Sequence, residues 1–387
     1  MRPSEQATIV ERHKSFLQLV RLGIGTSKDV KIPNGIGWEQ LKTLADEQGL
    51  TVVVLDGLER VQEFNGSWTS QATESSARVQ DSHPLQMKLE WIGEVLQNYE
   101  QRYVQYEKAI GSLAGFYNQH GFKMMVLKGY ACSLDWPKPN HRPTGDIDIW
   151  QFGKWKVADA ALAKEKGIKI DSSHHHHTVF NWQGFSVENH YDFINVHHHK
   201  SHVALEKTLK ELGQDDSYSV EIMDVSTGSA TKVYLPSPNL HALFLLKHAA
   251  LHFVGTELTF RQVLDWAFFV QKHGKEVDWN WLHGVLEEHG LMPFYQIMNA
   301  IYVGDLGFKA SQFPNNQHLP EVKERVVNEI FASVYQGDES KNFLTRQVNR
   351  FRRWKGNEWK HKLCYKESMW SAFWSGVWEH LLKPSSI

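Results

Sequence analysis

The sequence predicts an α+β fold, in which a small mixed β-sheet is flanked by an N-terminal and a C-terminal helical region. Apolar residues recur at three- and four-residue spacing in the first 120 residues and again after residue 236, as they do in amphipathic helices. Between these stretches the apolar runs are short and strand-like. Because 387 residues exceed the usual size of one hydrophobic core, we predict three parts, at residues 1–84, 85–235 and 236–387.

The N-terminal part is predicted to be helical. Helical spacing covers Ile9 to Leu22 and Trp38 to Gln48. The polar stretch from Asn65 to His83 predicts an exposed loop. A long pattern without proline, from Leu85 to His120, then predicts one helix that Gly121 ends as a C-terminal cap.

In the central part the period changes from helical to strand-like. The apolar run Lys123–Leu127 predicts a short buried strand, Gly129 can open a helix, and the alternation from Asp146 to Trp150 predicts a second strand. The remaining elements are predicted as a helix over Lys154–Lys166, two strands or a hairpin within Thr178–Tyr191, a helix over Val203–Leu212, and a closing hairpin of Ser219–Val225 with Lys232–Leu235.

The C-terminal part is again predicted to be helical. Pro236 and Pro238 mark the boundary, and nearly every periodic segment after them has helical spacing. The run HALFLLKHAALHF is apolar almost all round, which is typical of a helix buried between domains.

Composition excludes several classes of protein. With 42 basic and 44 acidic residues, the net charge of −2 gives no general attraction to nucleic acid. Cys132 and Cys364 are too few for a disulfide framework and are not spaced as a zinc site. The N-terminus lacks the apolar core of a signal peptide, and no apolar window is long enough to span a membrane. We therefore expect a cytoplasmic protein with no membrane partner.

Two aspartates one residue apart carry the clearest chemical signal. On a strand, Asp146 and Asp148 project from the same side while Ile147 and Ile149 enter the core. Two converging carboxylates repel each other, and a hard cation such as Mg²⁺, or Mn²⁺, neutralises them. Such an ion would also bind the oxygens of a nucleoside triphosphate such as ATP.

The segment MMVLKGYACSLDWPKPNHRPTGDIDIW resembles the polymerase-beta-type nucleotidyltransferase superfamily, and within it an uncharacterised bacterial branch that opens with Leu-Lys-Gly. Arg142 and Gly145 follow in the order of the family pattern. Looser similarity in PSPNLHALFLLKHAALHF, LTFRQVLDWAFFV and WEQLKTLADEQGL extends the resemblance over most of the chain. The resemblance implies an enzyme that transfers a nucleoside monophosphate from an NTP to a hydroxyl acceptor.

The resemblance also implies a third carboxylate on a neighbouring strand. In FSVENHYDF, Glu188 with His190 two residues later fits the pattern of this branch. Asp192 is the competing candidate, because it shares the face if the strand continues that far. The implied metal ligands and catalytic residues are thus Asp146, Asp148 and Glu188.

The triphosphate is expected to contact Lys128, Gly129, Arg142 and Gly145. Lys128 offers a point charge and Arg142 a bidentate fork, while the backbone after Gly129 offers N–H groups at a helix start. The chain departs here from the wider superfamily, which has Gly-Ser or Gly-Gly where this sequence has Lys-Gly. The acceptor implied is any small molecule, sugar, protein side chain or RNA end that bears a hydroxyl.

Two further sequence features, the histidine clusters and the C-terminal tryptophans, suggest other functions. Two histidine clusters suggest a zinc hydrolase, His174 to His177 and His197 to His199 with His202. Consecutive residues on a strand point to opposite faces, however, and no HExxH motif accompanies these histidines. Some of them could still lie at the edge of the active site. A nucleotide-binding module without catalysis is the other rival. The C-terminal tryptophans, among them Trp370, Trp374 and Trp378 at four-residue spacing, favour packing over RNA binding.

Overall fold

The computed structural model describes residues 3–28, 37–61, 84–196, 199–223, 228–255, 258–316, 320–332, 349, 351–352 and 354–371. Helices at both ends of the chain enclose a central sheet, so the predicted α+β class is confirmed. The predicted loop at 65–83, part of the second histidine cluster, Trp374 and Trp378 lie outside the described residues.

In the described residues, five α-helices precede the first strand. They are α1 (Pro3–Gly23), α2 (Trp38–Glu47), α3 (Thr51–Arg60), α4 (Pro84–Val95) and α5 (Arg102–Gln119). The single long helix predicted after Leu85 is in fact two, since a π-helical segment, Leu96–Gln101, separates α4 from α5. Sequence analysis missed α3, because its Val52-Val53-Val54 run has strand propensity, whereas burial of all three side chains against α1 fixes it as a helix.

From Met125 to Tyr234 the described residues form six strands and three α-helices. In chain order these are β1 (Met125–Val126), α6 (Tyr130–Ser133), β2 (Ile147–Trp150), α7 (Trp155–Lys166), β3 (His177–Trp182), β4 (Phe185–His190), α8 (Lys200–Leu212), β5 (Ser219–Met223) and β6 (Ala230–Tyr234). The strands form one mixed sheet of order β3-β4-β2-β1-β6-β5. β2 is parallel to β4 and antiparallel to β1.

Helices continue to the end of the described chain. They are α9 (Pro238–Gly255), α10 (Phe260–His273), α11 (Trp279–His289), α12 (Met292–Gly304), α13 (Pro320–Ala332) and α14 (Glu358–Cys364). As predicted, α9 is buried almost all round. Among the described residues, no helix combines the length and the apolar character that a membrane crossing requires.

Two hydrophobic clusters fix which face of the sheet remains available. One face packs against α5 through side chains that include Ile147, Ile149 and Val187. A second cluster joins the N-terminal helices to the C-terminal ones, where Phe16 of α1 lies 6.0 Å from Phe260 of α10 between ring centroids. The sheet face opposite α5 therefore looks toward α9 and α10.

Candidate active site

Three neighbouring strands place acidic and imidazole side chains on one face of the sheet. Asp148 of β2 lies opposite Glu188 of β4, and His190 of β4 lies opposite His177 of β3. Opposite residues share a face, as do alternate residues along one strand. All four side chains therefore project away from α5, and the alternation that buries the isoleucines of β2 also aims Asp148 outward.

Asp148 is the buried centre of this cluster. Its Oδ1 accepts hydrogen bonds from Lys128 Nζ at 2.8 Å and from His190 Nε2 at 3.0 Å. Burial alone would raise the pKa of Asp148, but the Lys128 charge and the His190 hydrogen bond outweigh burial and hold that pKa well below its usual value. Asp148 is therefore a carboxylate at neutral pH.

Two further carboxylates lie beside it. Glu188 has Oε2 at 3.6 Å from His190 Nε2 and Oε1 at 3.8 Å from His177 Nε2. Burial, followed by the negative charges of Glu188 and Asp148, raises the pKa of Asp146. All three carboxylates line one cavity, where a cation would relieve their mutual repulsion. Asp192, the competing candidate, pairs instead with Lys210.

Gly129 allows the backbone to turn tightly beside the acids. Its φ is +47°, and an added Cβ would lie 2.5 Å from the Tyr106 hydroxyl, which donates a hydrogen bond to the Asp146 carbonyl at 2.9 Å. The helix that follows, α6, has only four residues, so it provides less dipole than the sequence suggested. No atom lies within 4 Å of a Cβ built at Gly145.

We expect Gly129→Ala to destabilise the protein by about 1–3 kcal/mol, since it combines a disfavoured backbone conformation with a clash at Tyr106. Chemical denaturation measures the loss. Gly93→Ala is the control, because Gly93 lies in α4 with open space around its Cβ, and there alanine should be neutral or stabilising by up to about 1 kcal/mol. Equal effects at both positions would contradict this account of Gly129.

A cavity of about 500 Å³ opens above the cluster. All seven residues predicted from the sequence line it, namely Lys128, Gly129, Arg142, Gly145, Asp146, Asp148 and Glu188. The opposite wall comes from α9 and α10 and includes Leu245, His248, Ala249, His252, Arg261 and Asp265. A cavity of this size, with acids and imidazoles on the sheet side and both apolar and charged groups on the helical side, suits one small ligand.

Arg142 lies in this cavity wall, but its guanidinium fork is already occupied. Nε and Nη2 donate to the two carboxylate oxygens of Asp265 at 2.8 and 2.9 Å, and Nη1 donates to the Pro143 carbonyl at 3.0 Å. The phosphate contact predicted for Arg142 stays a prediction, and the observed pairing disfavours it. Arg142 instead links the loop before β2 to α10.

The histidines before and on β3 lie closer to the candidate site than the sequence indicated. His176 precedes β3, so strand alternation does not separate it from His177, and both rings approach the His190 ring, with centroids 5.6 and 5.2 Å away. Burial lowers the pKa of His176 to about 3 and of His177 to about 4, which leaves neutral imidazoles able to act as ligands. The cross-strand register of His177 with His190 is what brings them together.

The geometry can now be compared with known proteins. The sequence model described as uncharacterised nucleotidyltransferase matches residues 34–302, more than two thirds of the chain. The chain belongs to this nucleotidyltransferase family. No curated protein and no solved structure matches it.

Membership establishes nucleotidyl transfer as the general activity of this enzyme. The stretch matched in the nucleotidyltransferase includes every residue that lines the cavity, from Lys128 to Asp265. It also includes α2, α3 and the helices α9 to α11. The helical wall is therefore part of the family's own unit.

Proposed function

We propose that this nucleotidyltransferase moves a nucleoside monophosphate from an NTP to a hydroxyl acceptor with the help of a divalent metal ion. One observation carries the proposal: one ligand atom each from Asp148, Glu188 and His190 lies within 4.8 Å of the other two, on the floor of the cavity. This spacing matches groups that share one ion.

The residues present fit a divalent cation. Asp146 lines the same cavity and adds a third carboxylate. His190 donates from Nδ1 to the Asp192 carbonyl at 3.2 Å, so Nε2 could exchange the proton that it shares with Asp148 for a metal ion. Metal-binding histidines commonly have such a backbone partner. When bound, Mg²⁺ or Mn²⁺ would supply charge stabilisation to the triphosphate.

The chain's own residues would divide the remaining work. Lys128 offers a positive charge to the phosphates, because its Nζ already lies against Asp148 at the cavity floor. Glu188, less buried than Asp148, would position or deprotonate the acceptor hydroxyl. The apolar side chains Leu245 and Ala249 on α9 would contact the nucleoside or the acceptor.

The direct test incubates the full-length protein with each α-³²P-labelled NTP, divalent metal and a cell extract. We expect label to enter one class of acceptor, whether small molecule, sugar, protein or RNA, with release of pyrophosphate. Tight NTP binding with no transferred label under any of these conditions would contradict the proposal, and would favour a nucleotide-binding module.

The imidazole ligand affects which ion the site prefers. Carboxylates alone suit Mg²⁺, whereas imidazole favours transition metals such as Mn²⁺ and Co²⁺. We expect Mn²⁺ to bind more tightly than Mg²⁺, and Co²⁺ to give the visible absorption bands of a nitrogen ligand. His190→Gln should lower Mn²⁺ affinity by about 10- to 100-fold, as measured by electron paramagnetic resonance.

His120→Gln is the matched control for this metal experiment. His120 lies at the end of α5, where it pairs with Glu165 outside the cavity. Its substitution should leave Mn²⁺ affinity unchanged. Tightly bound stoichiometric zinc that persists without nucleotide and resists Mg²⁺ and Mn²⁺ would instead support the hydrolase alternative, in which His176, His177 and His190 hold the ion.

A further inference from the structure

Arg261 brings a permanent positive charge to the cavity without a carboxylate partner among the described residues. Its side chain lines the wall that faces the acids. Its Nε is shielded from solvent and finds no hydrogen-bond partner in the described part of the chain. Holding an unpaired guanidinium in such a place costs several kcal/mol, so the arrangement is favourable only with an anion nearby.

Two of the acids that line the cavity with Arg261, Asp265 and Asp148, already bind other groups. Asp265 lies one helical turn further along α10, at the spacing of a helical ion pair, but both of its oxygens accept from Arg142, and Oδ1 also accepts from Trp136 Nε1 at 2.9 Å. Asp148 is held by Lys128 and His190. Two guanidinium groups thus lie near each other, and only that of Arg142 is neutralised.

The N-terminal region holds the stem of Arg261 in place. The Gln48 carbonyl accepts the Arg261 backbone N–H at 3.2 Å, and Gln48 Oε1 accepts the N–H of Phe260 at 3.1 Å. Gly49, at φ +64°, leaves room for the aliphatic part of the Arg261 side chain, because an added Cβ at residue 49 would lie 3.2 Å from Arg261 Cβ. Because these contacts occupy the backbone N–H groups of Phe260 and Arg261 at the start of α10, a ligand there would bind the Arg261 guanidinium and not these two N–H groups.

The charge of Arg261 acts on groups of both cavity walls. It lowers the pKa of Asp146, although burial and the other carboxylates outweigh it there, and it contributes to the lowered pKa of buried His248. Burial and the neighbouring Arg142 charge lower the pKa of Arg261 itself. Arg261 and the proposed metal-binding carboxylates line the same cavity from different elements, α10 and the sheet.

We propose that Arg261 binds the terminal phosphates of the nucleotide, the part that leaves as pyrophosphate, from the helical wall opposite the carboxylates. The planar guanidinium matches two phosphate oxygens at once. This inference rests on the proposed function. It gives to Arg261 the bidentate phosphate binding that the sequence suggested for Arg142, because the guanidinium of Arg142 already binds Asp265.

The experiment measures pyrophosphate binding to the full-length protein by calorimetry, with Mn²⁺ present. We expect Arg261→Gln to weaken pyrophosphate binding roughly 10- to 100-fold, which is the loss expected when one or two hydrogen bonds between charged groups are removed. Arg261→Lys should recover only part of the affinity, because lysine keeps the charge but lacks the fork. A nucleoside monophosphate, which lacks the terminal phosphates, should bind the wild type and Arg261→Gln alike.

Arg325→Gln provides the control for loss of a positive charge, since Arg325 packs over Trp359 on the exposed side of α13, outside the cavity. Without any anion, Arg261→Gln should unfold at the same temperature as the wild type or higher, because an unpaired charge is removed. A purely structural Arg261 would give a lower temperature. If Arg261→Gln does not fold, Arg261→Lys alone decides the matter by its pyrophosphate affinity.

The outcomes separate this inference from the proposed function. Equal pyrophosphate affinity in the wild type and Arg261→Gln overturns the role of Arg261, even if labelled NTP is consumed. Loss of pyrophosphate binding in Arg261→Gln, with no transfer by the wild type, leaves the anion site standing and refutes metal-dependent transfer from NTP. Binding losses of the same size in Arg325→Gln would show only a general effect of charge, and would also overturn the inference.

Discussion

Replacing Asp148 by Asn should reduce nucleotidyl transfer by roughly 100- to 1000-fold, since a metal ion contributes several kcal/mol of charge stabilisation to the transition state. Asparagine keeps the shape of the side chain and can still accept hydrogen bonds from Lys128 and His190. It removes the negative charge that the proposed ion requires. Initial rates with the labelled substrate, measured at saturating Mn²⁺, give the size of the effect.

The same substitution should weaken Mn²⁺ binding in the absence of nucleotide, which a merely structural role would not require. Asp192→Asn is the matched control, because Asp192 follows the neighbouring strand β4 but pairs with Lys210 and does not line the cavity. Near-normal transfer by Asp148→Asn, with circular dichroism matching the wild type, would show that Asp148 is not a metal ligand in the reaction.

Local patterns were sufficient to predict the part of the site that lies on single strands. Alternation of Asp146, Ile147 and Asp148 indicates which side chains share a face, and the structure gives Ile147 and Asp148 the opposite faces expected. What alternation cannot give is the order of strands. Only the fold shows that β4 is parallel to β2, so that Glu188 lies opposite Asp148.

Pairing between distant segments is where prediction from the sequence failed. Arg142 and Asp265 are 123 positions apart, and nothing in either local sequence links them. Helical spacing would instead pair Asp265 with Arg261 on the same helix, a pairing that the structure does not contain. The same limit applies to α3, where burial against α1 overrides the strand propensity of three valines.

The pair of Arg142 and Asp265 predicts the largest effect on stability. Both side chains are buried, 6% and 5% exposed, and they are joined by two parallel hydrogen bonds. Burial alone would lower the pKa of Arg142, but the charge and hydrogen bonds of Asp265 raise it above its usual value. Arg142 is therefore charged in the folded protein and depends on Asp265 for compensation.

We expect Asp265→Leu to lower the free energy of unfolding by about 3–5 kcal/mol, because it leaves the Arg142 charge buried without a partner. Arg142→Met should cost less, since Asp265 keeps a hydrogen-bond donor in Trp136 Nε1. Urea denaturation of both variants measures the two losses. As a control, Asp216→Leu removes an exposed acid that pairs with Lys123 at the surface and should leave stability nearly unchanged.

The double variant Arg142→Met with Asp265→Leu distinguishes charge compensation from simple packing. Replacing both members of a buried ion pair by apolar side chains of similar volume is often neutral or stabilising. The double variant should therefore be more stable than Asp265→Leu alone, although it carries one more substitution. If the stability losses of the two single variants simply add in the double variant, Arg142 and Asp265 stabilise the protein through separate contacts. The ion pair would then not be the contact that connects the loop before β2 to α10. If the losses compensate, the ion pair holds the loop before β2 against the helical wall of the cavity.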